Sequence, residues 1–104
     1  MGIIIKYNDL LICREEEDGT IVCDFGKEID EQILRKSIIA ELEAINMYEG
    51  FASVISNEKV RKVLKDVANE EKVHVGEFLE LLLEIDKKQV NGINKGKIEV
   101  MRID

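Results

Sequence analysis

Two runs at helical spacing, each apolar except at its middle, constrain this chain more than any other feature. The first reads Leu34, Ile38, Glu41, Ile45, Tyr48, Ala52, Ile55. The second reads Val60, Leu64, Val67, Glu71, His74, Phe78, Leu81, Ile85. Both step by four and three, the spacing of one helix face packed against a partner. Near their centres one run offers a carboxylate and the other offers Glu-x-x-His. Burying a lone carboxylate costs on the order of several kcal/mol, and a bound metal is a common way to offset that cost.

The register of the two runs brings these groups together. Ser56-Asn57 is a tight break that offers a cap residue for a second helix. Glu41 precedes this break by about 15 residues, and Glu71 and His74 follow it by about 15 and 18, as counted from the sequence. Two helices of about 27 residues, each about 40 Å long at 1.5 Å per residue, joined by so short a connection lie antiparallel. The three groups then meet at one depth.

Three regions differ in pattern. Residues 1–27 read as an N-terminal β-hairpin extension: Ile3-Ile4-Ile5, Leu10-Leu11-Ile12-Cys13 and Thr20–Phe25 are strand-like, with Asn8-Asp9 and Asp18-Gly19 as turns. Residues 28–88 read as the helical hairpin, closed off from the strands by Gly26 and capped at Asp30. Residues 89–104 are turn-rich at Asn91–Gly96 and then strand-like at Lys97–Ile103, either a last strand or a flexible partner-binding tail.

Bulk properties bound the function. One domain is the default for 104 residues, and 45% hydrophobic with 36% charged residues suits a folded globular chain. A net charge of -7 argues against nucleic-acid binding and is compatible with attracting cations. No apolar run reaches the roughly 18 residues of a membrane span. Met1–Lys6 has no signal-peptide pattern, so a cytoplasmic location is expected. Cys13 and Cys23 form no CxxC motif and read as small apolar core residues, with a cross-hairpin disulfide under oxidising conditions as the alternative.

One antiparallel pair of helices cannot cover all its apolar faces. Ile39, Leu42 and Met47 form a second set on the first helix, and Val63, Val73, Leu79, Leu82 and Leu83 form one on the second. A second hairpin is expected to cover them, giving a four-helix bundle from two chains, with cover by the terminal strands as the alternative. Each chain then supplies two carboxylates and one imidazole, half of the set found in di-iron carboxylate bundles. An oxygen-rich set with one imidazole per metal suits iron or manganese. The alternatives at this level are a Glu–His hydrogen-bonded pair, a polar layer that sets interface register, and a zinc- or manganese-stabilised structural dimer. Tyr48 is placed either to hydrogen-bond a metal-bound carboxylate or to serve as an interface aromatic. Glu43 lies off the seam, where it could guide ions inward.

The stretches Ile39-Ala40-Glu41-Leu42-Glu43-Ala44-Ile45-Asn46-Met47-Tyr48 and Asp66–Phe78, with Glu70-Glu71-Lys72-Val73-His74, resemble the encapsulated ferritins packaged in encapsulin nanocompartments. The resemblance covers about residues 28–88. It implies a mainly α fold, in which an antiparallel two-helix hairpin dimerises into a ferritin-like four-helix bundle, in some cases within a ring of five dimers. It implies a ferroxidase that oxidises Fe(II) at a di-iron centre for storage or detoxification, with an encapsulin shell as partner and location. By motif match, Glu41, Glu71 and His74 are the metal ligands, Tyr48 a neighbour, and Glu43 an acidic position on the entry path. Met47 and Ala40 depart from residues that some members carry, residues 1–27 lie outside the family pattern, and residues 89–104 show no clear encapsulin-targeting peptide. The competing function is a non-enzymatic helical interaction module.

Overall fold

In the computed structural model, residues 3–6, 12–24 and 27–104 are described. Three short strands, β1 (Ile3–Lys6), β2 (Ile12–Glu15) and β3 (Ile21–Asp24), precede three helices, α1 (Lys27–Val54), α2 (Glu58–Ile85) and α3 (Lys87–Met101). The chain divides into two compact units, Met1–Ile33 and Leu34–Asp104.

The first unit holds an antiparallel sheet in the order β1-β2-β3. The expected hairpin at Asp18-Gly19 is present. Gly19 has φ +86°, the left-handed conformation for which glycine carries no side-chain penalty. The turn is closed by Glu16 N–H to Thr20 O at 2.8 Å and Gly19 N–H to Glu16 O at 3.0 Å. Thr20 N–H donates to Asp18 Oδ1 at 2.9 Å. Bonds from Thr20, side chain and backbone, hold the Asp18 carboxyl below its usual pKa of 3.8. Cys13 and Cys23 face each other in the β2–β3 register and are joined by a disulfide, so the alternative reading of the cysteines is the one realised. The proposed turn at Asn8-Asp9, together with Leu10, Leu11, Phe25 and Gly26, falls outside the described residues.

In the second unit α1 and α2 are antiparallel, as links between them show: Arg35 meets Asp86, Glu41 meets His74, and Glu49 meets Lys72. Asn57 caps α2 as expected, accepting from Val60 N–H at 3.0 Å. The end of α1 is held by a residue the periodicity did not single out. Arg61 donates from Nε to Ala52 O at 2.9 Å and from its other nitrogens to Ile55 O and Glu58. A guanidinium thus satisfies carbonyls that a helix C-terminus leaves without partners. The buried apolar residues of this unit are Ile45, Ala52, Ala68 and Leu82.

Two expectations need correction. Asp30 does not cap α1; the helix already begins at Lys27, and Asp30 lies in its first turn, where a carboxylate is favoured by the helix dipole. The C-terminal strand is a helix. Alternation in Lys97–Ile103 suggested a strand, but Asp86 starts α3 by accepting from Gln89 N–H at 3.1 Å. Half-buried Gln89, Val90 and Ile93 recur at helical spacing behind it. Gly92 and Gly96 inside α3 each cost about 1 kcal/mol relative to alanine, and the Asp86 cap works in the opposite direction.

Candidate metal centre

Glu41 projects from the middle of α1, and Glu71 and His74 project from one face of α2, one turn apart. A ligand atom from each lies within 4.8 Å of the other two. His74 Nδ1 is 3.7 Å from Glu41 Oε2 and 3.6 Å from Glu71 Oε2. These separations are too long for hydrogen bonds, so the hydrogen-bonded Glu–His alternative is not what the side chains form. They are near the spacing of neighbouring donors around one ion, about 3–3.5 Å for bonds of roughly 2.0–2.2 Å.

Burial sharpens the point. The Glu41 and Glu71 side chains are 20% and 18% exposed, whereas His74 is 45% exposed. Glu41 Oε2 is buried and has no hydrogen-bond partner. An acceptor in that state costs about 1–3 kcal/mol or more when charged, and a cation at the centre of the trio removes the cost. Two carboxylate oxygens and an imidazole nitrogen leave coordination positions open, which suits a reactive or shared site rather than a closed structural one.

The other sequence candidates are not drawn into this group. Half-buried Tyr48 lies on the same face of α1 but makes no hydrogen bond to the trio among the described residues. Glu43 is exposed and off the seam. Sequence reasoning passed over Arg35, Arg61 and Asp86, which hold α1 and α2 in the register that the site needs. Asp86-Lys87-Lys88-Gln89 carried a legible signal, since Asp-x-x-Gln is a helix-start pattern.

A family model for rubrerythrin matches residues 32–102, which include all three helical site residues and α3. The chain belongs to the rubrerythrin family. As a rubrerythrin-family chain it is 52% identical over 100 residues to a ferritin-like–encapsulin shell fusion protein of Pyrococcus furiosus, covering 96% of this chain and 27% of that protein. The chain therefore spans about a quarter of that relative's length. An encapsulin nanocompartment cargo protein of Myxococcus xanthus, EncC, is 38% identical over 56 residues, 54% of this chain and 43% of the relative. The crystal structure of the encapsulated ferritin domain from P. furiosus superposes with a TM-score of 0.76 at 51% identity, covering 77% of this rubrerythrin-family chain and 82% of that one. The mainly helical, ferritin-like fold and the resemblance to encapsulated ferritins are thereby established. No helix among the described residues is long and apolar enough to cross a membrane.

Proposed function

We propose that the chain is a ferritin-like ferroxidase whose di-iron site is completed by a second copy. The observation that carries this reading is the buried, unpartnered Glu41 Oε2 facing Glu71 and His74 from the opposite helix. Glu41 and Glu71 supply negative charge that draws in and holds ferrous ions, which are the substrate. His74 adds a neutral nitrogen donor, and the helix register fixes all three before metal arrives. Bound ferrous iron supplies the electrons, and oxygen or peroxide accepts them. The protein orients the ions and limits the access of water.

One chain offers two carboxylates and one imidazole, so two chains offer four and two, the complement of di-iron carboxylate bundles. Exposed Ile39, Leu42 and Met47 on α1 and Val63 and Val73 on α2 supply the apolar surface for such a pairing. Tyr48 and Glu43 take subsidiary roles, near the bound carboxylates and on the ion path. The names of the relatives, an encapsulin shell fusion and an encapsulin nanocompartment cargo protein, support an encapsulin shell as partner and compartment; a ring of five dimers is the larger assembly that the family resemblance implies. Manganese and zinc fit the same donors as substitutes.

Ferrous iron added to the protein under air tests the reading. Absorbance of ferric product should rise faster with the native chain than with Glu41→Ala, Glu71→Ala or His74→Ala. Equal rates in all four sink the ferroxidase reading. Metal binding without oxidation would leave a metal-stabilised structural dimer in its place.

A further inference from the structure

The Cys13–Cys23 disulfide lies outside everything invoked for the metal centre. We propose that it is a reversible thiol-exchange site, opened by a dithiol reductant that attacks Cys23, rather than a structural staple.

Three observations support this. First, the two cysteines are direct partners in the β2–β3 ladder, flanked by the pairs Ile12↔Asp24 and Arg14↔Val22. The thiols remain opposite each other when the bond is open, so reclosing needs no change of register. Second, the folded turn does not depend on the bond. The cysteines are ten residues apart, and the turn between them is already closed by three hydrogen bonds around Glu16, Gly19 and Thr20. These bonds keep β2 and β3 paired when the sulfurs part; the crosslink itself restricts the unfolded chain, where it closes a short loop.

Third, the two sulfurs sit in different surroundings. Cys13 is on the central strand and only 5% exposed, whereas Cys23 is on the edge strand β3 and exposed. Exchange is governed by access to the sulfur under attack. A reductant thiolate therefore bonds to Cys23 Sγ, the Sγ–Sγ bond breaks, and Cys13 leaves as a thiolate that takes a proton. The second thiol of the reductant then displaces Cys23, which also leaves as a thiol. Two electrons and two protons pass to the protein, and the reductant becomes a cyclic disulfide. The reverse exchange with that cyclic disulfide closes the bond again.

The test uses the full chain and dithiothreitol in defined ratios of reduced to oxidised form, with thiols trapped by alkylation and counted by mass. The native protein should open and reclose fully, at a rate within about tenfold of the urea-unfolded chain. On reduction the β2–β3 cross-strand contacts should persist in NMR spectra of the folded protein. In single variants, the Cys23 thiol of Cys13→Ser should react with an aromatic disulfide reagent at least about tenfold faster than the Cys13 thiol of Cys23→Ser. Reduction only on unfolding, loss of the β2–β3 cross-strand contacts on reduction, or equal reactivity of the two thiols each overturns the proposal. None of these readouts uses metal, so the result is independent of the ferroxidase reading.

Discussion

Arg35 Nη2 donates to Asp86 Oδ2 at 2.5 Å, across 51 positions of sequence. The same aspartate closes α2 through its backbone N–H to Leu82 O at 2.8 Å and opens α3 by accepting from Gln89 N–H. One residue therefore ends a helix, starts the next and ties both to α1. With Arg61 holding the other end of α1, it brackets the segment in which Glu41 must meet Glu71 and His74.

Substituting Asp86 should loosen this corner. Asp86→Ala removes a helix cap worth about 1 kcal/mol and a charged hydrogen bond whose Arg35 end is half exposed, which reduces its contribution. The expected loss is about 1–3 kcal/mol in urea denaturation. Asp86→Asn keeps a capping oxygen and should lose less than half as much, which separates the cap from the ion pair.

At the other end, Arg61→Ala leaves the Ala52 and Ile55 carbonyls without their donor. A lost partner of this kind costs about 1–3 kcal/mol. Hydrogen exchange should show the last turn of α1 opening more readily, while the middle of α1 keeps its protection. Uniform loss of protection along α1 would contradict the local role given to Arg61.

Glu41→Gln should stabilise the metal-free protein and abolish stabilisation by metal. The change removes a charge whose buried oxygen has no partner, so the apo form should gain about 1 kcal/mol. Thermal melts with and without ferrous or manganous ion check both halves. A variant less stable than the native protein when both are metal-free contradicts this reading of the orphaned oxygen.

Acid should release the turn at Asp18 only as pH falls through the depressed pKa of its carboxyl. The folded pKa of Asp18 is depressed below 3.8 by the bonds from Thr20. Its contribution is therefore fully present above the ordinary value and lost as pH falls through the depressed one. Titration followed by NMR should show the Thr20 amide shifting with the Asp18 carboxyl, and the coupling should vanish in Asp18→Ala.

The parts of this architecture that were legible in the sequence are those repeated over many residues. Two ladders of seven and eight positions set the helices, their register and the meeting of Glu41 with Glu71 and His74, because a period of 3.6 averages over local exceptions. The hairpin at Asp18-Gly19 was legible because its left-handed turn demands glycine. What escaped depended on single side chains acting over distance. Nothing local marks Arg35 as a partner for Asp86, or Arg61 as a cap for a helix that ends before it. In Lys97–Ile103, alternation of charged and apolar residues fits a strand, yet the helix is dictated from upstream by the cap at Asp86 and by the packed face of Val90 and Ile93. The cysteine pair was left open because pairing depends on a strand register that ten intervening residues do not specify.

Two of the four buried apolar residues in the helical unit are alanines, and Ile39, Leu42 and Val73 stand in the open. A hairpin with so small an interior draws little stability from itself and much from whatever covers it. If a second copy is that cover, as proposed above, dilution acts on the chain as a denaturant does, because folding free energy and chain concentration become linked. Any enclosure that raises the local concentration of such pairing chains would then stabilise them by mass action, as a bound ligand would, without touching a single side chain.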